Sequence, residues 1–429
     1  MEKIGAQFKV HNVGQGFFYS GTISSFEREF HFVYDCGSEN TKYVEAAVEN
    51  YLDEFSPKQI DMLVISHFDL DHVSGIHKLI SDERIVAVDK IFIPYYTKTK
   101  EQKKFSLLLL DMLMAIHFTD YTQKIKKIIL VPDYSEEKKV ISFNERTKQE
   151  ISYVDNGEIK NIDNEIKKNI SQDTLIKCTE LPEKTDLIYN AEWVFDFFNL
   201  GIDDSVISVF NSEIEEYLKQ EKVDNLIDLF ASGNNKKHTK AIKDLYTSVF
   251  SGKGLPGNDC CNNTSLCLFH GPISENYPLY KDKYIDPSSY FNNHMCVRTS
   301  YITEEDGQTK TIPSYYNWAA RGNLLTGDID LKNNGHMVQF DNHFAIRKGD
   351  IKYLFLPHHG SKNNWNDELL EYSSGTGIHC VTSAGKFSKY KHPNVEVVSK
   401  FYNKLISVNE TKSLTYCYGN WRDTVNLID

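Results

Sequence analysis

Met62-Leu63-Val64-Ile65-Ser66-His67-Phe68-Asp69-Leu70-Asp71-His72-Val73-Ser74-Gly75 is the stretch that decides how the rest of the chain is read. It opens on an apolar, β-rich run of strand length, and Val73 to Ile80 then carries a helical period. Between the two, a pair of histidines and a pair of aspartates fall within the six residues His67 to His72. A strand that runs out into a tight loop turns several such side chains toward one point. Imidazole and carboxylate are the ligands that hydrolytic metals use. A solvated acidic loop is the competing reading, but it explains poorly why four ligand-type groups stand directly behind an apolar strand.

Outward from the motif, Gln7 to Val10 and His31 to Tyr34 read as strands and Tyr43 to Tyr51 as a helix. The turn Val13-Gly14-Gln15-Gly16 needs its glycines for backbone freedom or close approach. From about residue 99 to 190 the chain is rich in Lys, Glu, Asn and Ile, with strand-like runs at Lys127 to Val131 and Val140 to Phe143. A strand follows at Trp193 to Phe198, and helices over Val206 to Phe250 are separated by Ser232-Gly233-Asn234-Asn235. Strand signals return at Ser265 to Phe269, whereas Pro272 to Arg321 has no strong period and reads as an inserted loop region. The last third has strands at Asn323 to Thr326, Lys352 to Leu356, Ile378 to Thr382 and Ser413 to Tyr418. Helices are expected near His336 to Ile346 and at Asn394 to Lys404.

Composition is that of a globular protein, with 40% hydrophobic and 25% charged residues. The 48 basic against 60 acidic side chains give a net charge of −12, which argues against a basic face that grips nucleic acid non-specifically. Local positive charge from metal ions is outside that count and leaves a nucleic-acid substrate open. No helical stripe of aromatics suggests a base-stacking platform. Phe105 to Ile116 is apolar but short and contains Asp111; a membrane span needs roughly 20 apolar residues, so no membrane association is expected. The N-terminus has no apolar core of signal-peptide length. The eight cysteines are therefore expected as reduced thiols, mostly buried, in a cytoplasmic protein.

His67-x-Asp69-x-Asp71-His72 resembles the H-x-H-x-D-H motif of metallo-β-lactamase-fold hydrolases, with Asp69 where the second histidine normally stands. That variant looks like the soluble domain of the competence DNA-uptake protein ComEC and its stand-alone relatives. Further pieces resemble that group in the same order: Val13-Gly14-Gln15-Gly16, Asp35-Cys36-Gly37-Ser38, Asn262-Asn263-Thr264-Ser265-Leu266, Thr326-Gly327-Asp328, His358-His359-Gly360-Ser361, and Ser383-Ala384-Gly385 with His392-Pro393. The match covers roughly residues 6–90, 190–200 and 258–418. Phe17 stands where the group's first turn ends in an acid, and Asn12 where an acid often starts it.

The resemblance implies an α/β fold, a four-layer αββα sandwich with large, mostly helical insertions. Residues 1–98 would form its N-terminal half and 258–429 its C-terminal half. Residues 99–257 would be a cover region interrupted by a core strand near 192–199. It further implies two divalent metal ions, Zn²⁺ or Mn²⁺. His67 and Asp69 would ligate one, Asp71 and His72 the other, and Asp328 both. His358 is the expected closing ligand, because adjacent residues on a strand point opposite ways; His392 is the alternative. Asp71, His392 and His359 are the candidate catalytic residues, and Ser361, Ser383 and Asn12 the candidate substrate contacts. The implied reaction is hydrolysis of a phosphodiester, in nucleic acid or a nucleotide, by a metal-activated hydroxide. A small-molecule ester or lactone hydrolase is the alternative. A non-catalytic sensor or assembly subunit, binding a protein partner through the insertions, is the second.

Overall fold

The computed structural model describes residues 5–24, 28–134, 146–156, 172–190, 193–202, 204–231, 235–250, 265–273, 295–305, 308–309, 322–373, 378–401 and 404–420. Its strands, in chain order, are β1 (Gly5–Val10), β2 (Phe18–Ser24), β3 (Glu29–Cys36), β4 (Gln59–Val64), β5 (Ala87–Tyr95), β6 (Ile125–Pro132), β7 (Thr147–Glu150), β8 (Cys178–Glu180) and β9 (Thr185–Tyr189). There follow β10 (Trp193–Phe198), β11 (Cys267–Pro272), β12 (Met295–Glu305), β13 (Gln308–Thr309), β14 (Gly322–Leu325), β15 (Ile351–Phe355), β16 (His379–Ser383), β17 (Leu405–Val408) and β18 (Lys412–Asn420).

They form two sheets, ordered β13-β12-β18-β1-β2-β3-β4-β5-β6-β8 and β17-β16-β15-β14-β11-β10-β9-β7. Both are mixed: β3 to β6 run parallel, as do β14 to β17, and the remaining central pairs are antiparallel. Strand alternation sorts the side chains by face. Phe195 and Phe197 of β10 join Phe32, Met62, Phe92, Leu325 and Phe355 in the layer between the sheets. Val194 and Phe198 of the same strand join the outer core under the helix Asn334–Phe344. The other outer face, on β4 and β5, packs under the helices Thr41–Phe55, Lys100–Leu113 and Asp204–Glu221. This is the expected four-layer αββα sandwich with helical additions. Among the described residues, no helix is long and apolar enough to cross a membrane. Cys36, Cys178, Cys267 and Cys380 are buried free thiols.

Local departures from the sequence reading have physical causes. Met295–Glu305 lies in the stretch expected to be an inserted loop, yet it is a strand paired along its length with β18. Its hydrogen bonds come from the far C-terminus, which no local period encodes. The helix expected over Val73 to Ile80 is broken into Leu70–Val73 and Ile76–Ser81. At the break, the Gly75 N–H donates to the Cys36 carbonyl at 2.8 Å, and a Cβ there would meet Val44 at 2.4 Å. The helix expected at Asn394 to Lys404 is only the turn Val395–Val398 plus the 3₁₀ turn Ser399–Phe401, since Lys404 already bonds Cys380 beside β17. Residues 99–257 give strands to both sheets, β6 and β8 to one and β7, β9 and β10 to the other. Val140 to Phe143 and Asn262 to Thr264 lie outside the described residues.

Candidate metal centre

Parallel strands deliver their carboxyl ends to one edge of the sandwich, the usual place for a site in such sheets. β3 ends at Asp35-Cys36, β4 runs out into His67 to His72, β14 into Asp328, β15 into His358-His359, and β16 into the loop that bears His392. The sheets are stitched together there by the Leu266 N–H, which donates to the Ser66 carbonyl at 2.8 Å.

Glycines let the backbone close around Asp71 and His72. A Cβ on Gly37 would come within 2.4 Å of the His72 backbone. Gly16, at φ 144°, sits where a Cβ would meet the Asp71 carbonyl at 2.7 Å. The Phe17 N–H donates to that same carbonyl at 2.9 Å. Thus the first glycine turn is a buttress for the motif loop. Phe17 closes the wall beside it, its ring 6.4 Å from that of His72 and packed edge-on to Phe355.

Four histidines converge on Asp328, and in each the Nδ1 is already engaged. His67 Nδ1 lies 2.9 Å from Ser66 Oγ, whose one proton goes to Asp35 Oδ2 at 2.6 Å, so the serine must accept from the ring. His72 Nδ1 donates to Asp35 Oδ2 at 2.7 Å, and His359 Nδ1 to the Ser383 carbonyl at 2.6 Å. His358 Nδ1 pairs with Asn364 Oδ1 at 2.8 Å, the amide nitrogen of Asn364 being used on the Asp328 carbonyl. Every Nε2 is therefore turned toward carboxylates. Those of His67 and His358 are 3.8 and 3.5 Å from Asp328 Oδ2, and those of His72 and His359 are 3.2 and 3.7 Å from Asp328 Oδ1. Asp69 Oδ2 lies 3.8 Å from His67 Nε2, and Asp71 Oδ2 lies 3.3 Å from His359 Nε2.

A ring nitrogen lone pair facing a carboxylate is repulsive unless a cation stands between them. Among the described residues, buried His67 Nε2 has no hydrogen-bond partner. The donor set thus fits divalent cations, and the oriented Nδ1 atoms are the usual support of metal-binding imidazoles. Asp71, His72, Asp328 and His359 offer ligand atoms that all lie within 4.8 Å of one another. Charge crowding says the same. Desolvation and the Asp71 and Asp328 carboxylates push Asp69 up to about 6. Desolvation and the neighbouring His72 hold His67 down at about 4. Burial opposes a charge on His72, yet Asp328 and Asp35 together raise its pKa well above the usual imidazole range, the mark of concentrated negative charge around the ring.

His358 and His359 are not on a strand. Both have left-handed backbones, at φ 45° and 56°, followed by Gly360 at φ 84°. Two such residues cost of order 1–3 kcal/mol each, and the turn they make lets neighbouring rings face the same acid. The expectation that only one of the pair points inward is thereby corrected. His359 sits in the tight buried cluster, and His358 is the more exposed partner on the other Asp328 oxygen. His392 stands at the rim, its ring 5.2 Å from that of His358 and 6.4 Å from that of His359, outside the converging set.

The three expected substrate contacts each make a hydrogen bond within the fold. Ser383 is buried, its hydroxyl donating to the Gly16 carbonyl at 2.8 Å while its own carbonyl orients His359. Buried Ser361 accepts from the Asn363 N–H at 3.2 Å, and Asn12 donates to the Glu410 carbonyl at 3.4 Å. Ser383 also lines the small cavity that His72, Asp328 and His359 border. The sequence reading gave no role to Asp35, Ser66, Ser265 or Asn364. Asp35 is the extra residue of a β-bulge on β3, with φ 53°, which aims its carboxylate at His72. Ser265 Oγ accepts the Asp328 N–H at 2.9 Å. Only the D-x-G and S-L fragments of the resemblance hinted at either. Asp35→Asn is expected to weaken metal binding by about 10–100-fold by unseating His72; chelator competition measures it, and an unchanged affinity would rule out that orienting role.

Residues 26–105 match the metallo-beta-lactamase superfamily, a segment that contains β3, β4, β5 and the whole His67–His72 motif. Members of that superfamily are in general metal-dependent hydrolases, in keeping with the ligand-type cluster. No curated protein matches the chain.

Proposed function

We propose that the protein is a metal-dependent phosphodiesterase that cleaves nucleic acid or a nucleotide with two divalent ions, Zn²⁺ or Mn²⁺, gathered about Asp328. The carrying observation is the split of that carboxylate: each of its oxygens faces a different pair of histidines. In this reading His67, Asp69, His358 and Asp328 would hold one ion, and Asp71, His72, His359 and Asp328 would hold the other. When bound, such ions would supply Lewis-acid charge for the phosphoryl oxygens and a hydrolytic water acidified toward neutral pH. The hard, carboxylate-rich motif and its likeness to the ComEC soluble domain favour a phosphate ester over a lactone or other carbonyl substrate.

The remaining work falls to the chain. His392 is held down at about 4 by desolvation and by His358 and His359, so its ring is neutral at the rim and offers one N–H to a phosphoryl oxygen. An anionic substrate beside it would raise that pKa and let the ring hand a proton to the leaving oxygen. Phe17 and Phe355 form the apolar wall of a small cavity on the His72 side of the centre.

The direct test is turnover of bis-p-nitrophenyl phosphate, cyclic nucleotides, DNA and RNA with Mn²⁺, Zn²⁺ or Mg²⁺, beside Asp71→Ala. Phosphodiester cleavage that disappears in the variant is expected. Turnover of esters or lactones with no action on phosphodiesters would move the protein to the carbonyl-hydrolase reading.

A further inference from the structure

The loop that leads from β16 to His392 reads Gly385-Lys386-Phe387-Ser388-Lys389-Tyr390-Lys391-His392. Phe387 is 94% exposed and Tyr390 53% exposed, and the three lysines are exposed with them. No acid occurs from Gly385 to Val395, in a chain whose net charge is −12. A single exposed aromatic is ordinary, but here aromatics alternate with lysines on the lip of a candidate hydrolytic centre. The rings also form a path into it. Lys389 Nζ lies 4.7 Å over the Tyr390 ring, Tyr390 stacks on His392 at 6.0 Å and 19°, and His392 is 5.2 Å from His358. Lys389 is additionally paired with Glu39 at 3.0 Å, which ties the loop to the rim of the other sheet.

We infer that this loop binds single-stranded nucleic acid. Phe387 and Tyr390 stack on unpaired bases, Lys386, Lys389 and Lys391 neutralise phosphates, and the strand is led past His392 to the metal centre. Alternating cations and ring faces are what a single strand requires, because every base has a face to stack and every linkage a charge. A duplex hides those faces, and a mononucleotide needs neither a second ring nor three lysines. The inference rests on the phosphodiesterase reading and narrows its substrate to a strand with unpaired bases.

The test is fluorescence anisotropy of labelled oligo(dT) and oligo(U) on the full-length protein with chelator present, so that cleavage does not intrude. Both probes are expected to bind, with log affinity falling against log salt at a slope of about −2 for three neutralised phosphates. Phe387→Ala and Tyr390→Ala should each weaken binding at least about fivefold. Lys386→Glu with Lys391→Glu should flatten the salt slope. Lys58→Glu, at the opposite end of β4, should change neither. Circular dichroism of each variant checks the fold. A parent protein that binds neither probe, or loop variants that bind as the parent does, would overturn the inference. The underlying reading is tested apart from it: bis-p-nitrophenyl phosphate turnover without oligonucleotide binding sinks this inference alone, whereas loop-dependent oligonucleotide binding without any phosphodiester turnover sinks the phosphodiesterase reading alone.

Discussion

Asp328→Asn is expected to lower phosphodiester turnover by about 10³–10⁴-fold and to empty the centre of metal. Asparagine keeps the size of the side chain but has one weak acceptor oxygen and no charge, so it cannot serve both histidine pairs. Burial of Asp328 at 3% exposure means that no water stands in for the lost oxygen. The loss of transition-state charge stabilisation is several kcal/mol, and each 1.4 kcal/mol is about tenfold in rate. The change should also bring together four imidazole Nε2 atoms with one fewer anion to balance any cation among them. Elemental analysis of the purified variant, together with kcat on bis-p-nitrophenyl phosphate, decides the matter. A variant that keeps the parent's metal content and rate would show that the centre does not depend on this carboxylate.

Asp196→Ala is expected to destabilise the fold by about 3–5 kcal/mol without acting on the metal centre. Asp196 lies mid-strand in β10 on the outer face, fully buried among Arg146, Arg347 and His343. Arg347 Nε donates to Asp196 Oδ2 at 3.0 Å, His343 Nε2 lies 2.7 Å from Oδ1, and Arg146 contacts the same oxygen. Asp186 completes the group, accepting from Arg146 at 2.7 Å and from Arg347 at 2.9 Å. Two arginines are balanced by two aspartates, and burial lowers the pKa of His343, which therefore stays neutral. Removing one aspartate leaves a buried guanidinium charge uncompensated, which costs far more than the pair itself contributes. Urea unfolding followed by circular dichroism measures the loss, and chelator competition checks that metal affinity is retained. An unfolding midpoint equal to the parent's would mean that water reaches the arginines.

Much of the candidate site is legible in the sequence, for a local reason. His67, Asp69, Asp71 and His72 lie within one loop after one apolar strand, so their spacing alone forces them near a common point. Strands such as Trp193–Phe198 were legible for the same reason, since their own side chains state both faces. What could not be read was set by contacts between distant segments. The strand Met295–Glu305 exists because β18 pairs with it. Asp35 supports His72 only because a bulge turns it inward 37 residues earlier in the chain.

Consecutive residues determined the strand and helix runs and the crowding of ligand-type side chains at His67 to His72, because periodicity and short-range spacing are local properties. The two-sheet sandwich was implied by the resemblance that the ordered motifs carry. Tertiary structure alone decided that His358 and His359 both face Asp328, that Ser383 serves the backbone, and that β12 is a strand. Each of those depends on a backbone angle or hydrogen-bond partner supplied from elsewhere in the fold.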